Sequence, residues 1–103
     1  MTYNVIITEK SQEQLDNIIS YCVNVLRNKQ AAKSILSDVE QAYCRLEQFA
    51  NVFPLCQDEY LNFKEYRKIN LLKHDYVIIY KIVDKNVIIL GIFHMLEDYY
   101  HKL

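Results

Sequence analysis

Five residues around one short stretch carry groups suited to holding a phosphate: Lys64, Arg67, Lys68, Lys73 and His74. Ammonium, guanidinium and imidazolium groups supply the charge-assisted hydrogen bonds that phosphate oxygens accept. The rest of the chain does not extend that chemistry. With 12 Lys and Arg against 13 Asp and Glu, the net charge is −1, whereas proteins that grip nucleic acid broadly are clearly basic. The cluster reads as a local basic patch, or as the solvated polar positions of an edge strand. Cys22, Cys44 and Cys56 are widely spaced and include no C-x-x-C pair, so neither zinc nor dithiol redox chemistry is expected. They read as buried thiols of a cytoplasmic protein, Cys22 and Cys44 within helices. No metal site and no cofactor is implied.

These groups need a frame. At 103 residues with one Gly and one Pro, the chain predicts a single domain over 1–103, long enough to bury a core. No run of eighteen apolar residues suggests a membrane span. The first ten residues lack the basic start and small-residue cleavage site of a secretory signal, so a cytoplasmic location is expected.

The β-branched run Tyr3 to Thr8 predicts a first strand, after which Thr8 or Ser11 can cap a helix. Leu15, Ile18, Ile19, Cys22, Val23 and Leu26 then follow helical spacing. Arg27 to Gln30 is a turn. A second stripe runs through Ala32, Ile35, Leu36, Val39, Tyr43, Leu46 and Phe49 or Ala50. Two such helices with a brief connection form an antiparallel hairpin against a sheet. Phe53-Pro54 stops the second helix, and Leu55 to Lys64 shows no clear period. Three strands follow, Tyr66–Lys73, Tyr76–Val83 and Val87–His94, and the last residues form a helical turn or an extended tail. The fold class is α+β, β-α-α-β-β-β(-α), with an antiparallel-rich sheet on a two-helix hairpin.

A two-residue turn at His74-Asp75 would set Leu71 opposite Ile78 and Ile69 opposite Tyr80. A three-residue turn at Asp84 to Asn86 would set Tyr80 opposite Leu90 and Ile78 opposite Ile92. One face is then Ile69, Leu71, Ile78, Tyr80, Ile82, Ile88, Leu90 and Ile92, with Tyr76 beside His94. The other carries Leu72, Val77, Ile79, Val83, Val87, Ile89 and Phe93. Both are apolar, yet only one helical layer precedes them. Each aliphatic side chain left in water forgoes roughly 1.5–3 kcal/mol, against a domain stability of about 5–15 kcal/mol. A second cover is required, and a partner protein or a second copy is expected to supply it.

In order and spacing the chain resembles the RelE/ParE superfamily of type II toxin–antitoxin toxins. The resemblance rests on Tyr3 to Thr8, Ala31-Ala32 and Phe53-Pro54. It continues through Tyr66-Arg67-Lys68, Asp75-Tyr76 with Ile79-Tyr80, and Ile92-Phe93-His94 with Asp98-Tyr99. It implies a toxin neutralised by an antitoxin, here through Ile69, Leu71, Ile78, Tyr80, Leu90 and Ile92, as a hetero-oligomer. RelE-like members cut mRNA on the ribosome without metal; ParE-like members poison DNA gyrase by binding. For the first, the resemblance implies catalytic roles for His94, Arg67 and Tyr99, or Tyr100 in its stead, with Lys64, Lys68 and Lys73 as phosphate-binding cations. Such chemistry needs a base for the ribose hydroxyl, an acid for the leaving oxygen and a cation for the charged phosphorane. Leu71 and Leu72 stand where those enzymes carry an arginine, and Met95-Leu96-Glu97 replaces their later arginines. Two further readings are a degenerate module that binds antitoxin without harming the cell, and an unrelated α+β domain that dimerises through its sheet.

Overall fold

A computed structural model describes residues 2–103. Strand β1 (Asn4–Ile7) leads into α1 (Glu9–Ser20), which loosens into a π-helical turn at Tyr21–Val25. Thr8 starts α1 by accepting the Ser11 N–H at 3.3 Å, and its hydroxyl donates to the Ile89 carbonyl at 2.6 Å. One side chain thus begins a helix and ties it to the sheet. Arg27 takes a left-handed φ of 50° and breaks the helix; Asn28 then caps α2 (Lys29–Phe49), accepting the Ala31 N–H at 3.0 Å.

Past Pro54 comes a short helix, α3 (Glu59–Phe63), which the lack of apolar periodicity concealed. Its signal was Asp58, whose carboxylate accepts the Tyr60 and Leu61 N–H groups at 3.0 and 3.2 Å. Strands β2 (Arg67–Asn70), β3 (Tyr76–Val83) and β4 (Asn86–His94) follow, and Tyr99–His101 makes a closing 3-10 turn. The sheet order is β1-β4-β3-β2, with β1 parallel to β4 and the other pairs antiparallel.

The register departs from expectation in an instructive way. The β3–β4 turn is one residue shorter than proposed, since Val83 pairs with Asn86 and Asp84 absorbs a left-handed φ of 56°. A bulge then restores the count: Ile79 faces Gly91, Tyr80 faces Ile89, and Leu90 stands unpaired between them. The two departures cancel, so Ile78↔Ile92 and Tyr76↔His94 hold as expected. Between turn and bulge the faces swap. Val87 and Ile89 point to the helices, whereas Leu90 packs on the opposite face. At the other hairpin Ile69 pairs with Ile78, not Tyr80, because the connection spans more than two residues. That slip of two leaves the faces unchanged.

One face carries α1 and α2, whose Leu15, Ile35, Val39, Ala42 and Leu46 pack on Ile69, Ile78, Tyr80, Val87, Ile89 and Ile92. The other face is covered too, by the chain itself. Cys56 and Leu61 pack on Val77, Ile79 and Phe93, with Tyr66, Tyr99 and Leu103 around them. The expectation that a partner must supply the second cover is corrected: the stretch around α3 and the tail supply it. The cysteine reading holds for Cys22 and Cys56, but Cys44 is exposed. It lies two residues, or about 200° of helix rotation, from the buried Ala42.

Gly91 marks the bulge. A Cβ there would sit 2.6 Å from the Phe93 ring and 2.9 Å from Gln14 Oε1, the atom that accepts the Ile92 N–H at 3.0 Å. Gly91→Ala should therefore cost about 1–3 kcal/mol, read as a lowered midpoint in urea unfolding at unchanged slope. A midpoint equal to the parent's would mean that the bulge relaxes freely.

Candidate functional site

Strand alternation decides which candidate groups meet. Arg67 lies on the helix-covered face beside Tyr80, and its Nη1 donates to the Phe53 carbonyl at 2.6 Å. His94 is on that same face, paired with Tyr76, its ring edge-on to the tyrosine at 5.4 Å between centroids. It lines a cavity of about 250 Å³ with Gln14, Asn17, Ile18 and Glu97. The two positions are four residues apart along β3, about 13 Å, and two strands apart, about 10 Å.

Tyr99 belongs to the opposite face, its ring stacked on Phe93 at 5.6 Å. There it does meet one expected partner. Lys68 and Tyr99 border a cleft of about 350 Å³ with Cys56, Gln57, Asp58 and Tyr100. Burial raises the Tyr99 phenol and the Cys56 thiol above their usual pKa values, so both stay protonated at neutral pH. A protonated, buried thiol is a poor nucleophile. The cleft can hydrogen-bond a polar partner, and Asp58, the carboxylate in its lining, is engaged as the cap of α3.

The remaining cations scatter. Lys64 sits over the rings of Tyr60 and Tyr66, 4.8 and 5.8 Å from their centroids, and its pKa is raised chiefly by the Tyr60 hydroxyl. Lys73 lies in a different, polar cavity with Lys33 and Asp38. Among the six residues expected to bind an antitoxin, Ile69, Leu71, Ile78, Tyr80 and Ile92 are buried under the protein's own helices, and Leu90 is half-buried on the other face. Those five belong to the core, and Leu90 keeps part of its surface accessible. Sequence reasoning also passed over Asp38 and Arg45. Asp38 was legible as a lone charge on the apolar stripe of α2, three residues after Ile35. Arg45 left no signal beyond its charge.

Residues 5–99 match the model of a protein family, the ParE toxin of type II toxin–antitoxin system, parDE. The chain belongs to the ParE toxin family. Two solved structures share its fold. A chain of the chromosomal ParDE system from P. aeruginosa superposes with a TM-score of 0.75 at 21% identity, over 90% of this chain and 96% of that one. A chain of the RelBE2 toxin–antitoxin complex from Mycobacterium tuberculosis gives 0.57 at 19%, over 91% and 99%. No curated protein matches the sequence. This ParE toxin thus has the α+β fold and the toxin class that the sequence suggested, and it is a RelE/ParE superfamily member. No helix among its described residues is long and apolar enough to cross a membrane.

Proposed function

We propose that this toxin disables DNA gyrase by binding it, without cutting RNA, and is neutralised by a cognate antitoxin. One observation carries the choice between mechanisms. A metal-free ribonuclease needs base, acid and cation around one phosphate. Here Arg67 and His94 lie at opposite ends of the helix-covered face, while Tyr99 lies on the other. The raised pKa of Tyr99 and the net charge of −1 point the same way. Inhibition by binding needs no such convergence, and gyrase is the target that the resemblance to ParE-like members implies. Antitoxin neutralisation follows the family, and the two similar structures come from toxin–antitoxin systems.

Induced expression should arrest growth, and co-expression of the small protein encoded beside this gene should restore it. Purified toxin with gyrase and supercoiled plasmid should yield trapped double-strand breaks, with mRNA from arrested cells intact by primer extension. His94→Ala should leave the arrest unchanged. Discrete new 5′ ends within codons, abolished by His94→Ala, would reverse the assignment. Harmless expression with tight antitoxin binding would mark a degenerate module instead.

A further inference from the structure

Between α2 and the outer edge of β2 lie two adjoining cavities. One, of about 330 Å³, is bordered by Arg45, Phe53, Pro54, Lys68, Asn70 and Leu72. The next, of about 220 Å³, is bordered by Lys33, Ser34, Ser37, Gln41 and Lys73 above Asp38. They meet where Gln41 and Arg45, one helical turn apart, stand beside Leu72 and Lys73. From Lys33 to Arg45 the helix advances about 18 Å, the reach of an extended segment of roughly five or six residues.

The charge of this groove is one-sided. Lys33, Lys73, Arg45 and Lys68 border it. Among the described residues the single carboxylate in its lining, Asp38, is 1% exposed and already accepts from the Leu72 and Lys73 N–H groups and from His74. Lys68 also borders the cleft that holds Asp58. Among the described residues Arg45 makes no ion pair. Its Nη2 donates to the Asn70 carbonyl at 3.1 Å, its guanidinium lies over the Phe53 ring, and its buried Nε has no hydrogen-bond partner among the described residues. Between the two cationic ends stands Leu72, 64% exposed, with Phe53 and Pro54 at the Arg45 and Lys68 end of the same cavity. The pattern is cation, apolar, cation along a line.

We infer that the groove receives an extended segment of the antitoxin in which carboxylates flank an apolar side chain. The carboxylates face Arg45 with Lys68 and Lys33 with Lys73, and the apolar side chain covers Leu72. This inference rests on the antitoxin reading above and names the chemistry of the partner. Nucleic acid fits less well. A strand of phosphates gains nothing from the apolar middle, and four cations are few for a phosphate-tracking site.

The test uses the toxin and whichever antitoxin rescues growth. Three variants, Lys33→Glu with Lys73→Glu, Leu72→Asp, and Arg45→Glu, should each raise the dissociation constant at least about tenfold. The loss in the charge variants should shrink when salt is raised from ~0.05 to ~0.5 M. Lys85→Glu, at the distant β3–β4 turn, should change affinity by less than about twofold. Circular dichroism and melting confirm that each variant folds; the Lys33 and Leu72 changes alter exposed groups and keep the test independent of Arg45. Rescue with unchanged affinity in folded variants would overturn the groove while leaving antitoxin neutralisation standing. So would variants that lose affinity only for a 20-nucleotide single-stranded DNA probe. If no neighbouring product rescues growth, the antitoxin reading fails and this inference falls with it.

Discussion

Phe93→Ala should lower the unfolding free energy by about 3–5 kcal/mol. Its ring is 1% exposed and lies under Cys56 and Leu61, on Val77 and Ile79, with Tyr99 stacked at its side. For a domain near this size each kcal/mol moves the melting midpoint by at least about 4 °C, so a fall of more than about 12 °C is expected. The location gives the number its meaning. Phe93 is the centre of the face that the chain covers with α3 and its tail rather than with α1 and α2. A loss that large shows the second cover to be part of the folded protein. A loss below about 1 kcal/mol would mean that α3 and the tail rest loosely on the sheet, and the case for an external cover of that face would return.

That face shows how far the sequence could be read and where it failed. Apolar periodicity located α1 and α2 because each buries one stripe on one core, and burial of that kind writes a period. The three late strands, β3 and β4 buried on both faces, were located by β-branched runs between turns. Periodicity missed α3, where only Leu61 is fully buried and five residues are too few to show a stripe. The cover of the second face was invisible for the same reason, since it is assembled from isolated contacts by Cys56, Leu61, Tyr99 and Leu103. The excess of apolar sheet was read correctly; the chain that shelters it was not.

The bulge failed for a different reason. A residue inserted at Leu90 and a turn shortened at Asp84 leave the distant pairing unchanged, and only φ at Asp84 and the lone Gly91 betray them. Alternation then dispersed the supposed catalytic group. Arg67 and Lys68 are neighbours in sequence yet face opposite sides of β2, so a cluster of basic letters did not become a cluster of charges. Arg45 joins Lys68 only because α2 runs beside the β2 edge, a relation between elements that no local pattern encodes.

Asp38→Ala should cost about 3 kcal/mol and make the loss of stability in acid shallower. The Asp38 side chain is fully buried and accepts the Leu72 N–H at 3.2 Å, the Lys73 N–H at 2.9 Å and the His74 ring at 2.9 Å. An ionised carboxylate only accepts, so His74 Nδ1 carries the proton of that bond. Removing the carboxylate takes the acceptor from two part-buried backbone donors, and each unsatisfied group costs about 1–3 kcal/mol. Burial pushes the Asp38 pKa up, but the bonds from His74, Lys73 and Leu72 and the charge on His74 outweigh it, holding the carboxyl below its ordinary range. A carboxyl depressed in the folded state stabilises fully above its unfolded pKa and loses that contribution as pH falls through the folded value. The parent should therefore lose stability below about pH 4 by an increment that Asp38→Ala lacks, measurable as the difference between two urea-unfolding series across pH 2–6. Parallel curves would show that this carboxylate does not hold the loop. The same bonds place Leu72 and Lys73 in the groove, so the variant should also weaken antitoxin binding at neutral pH, where its fold still stands.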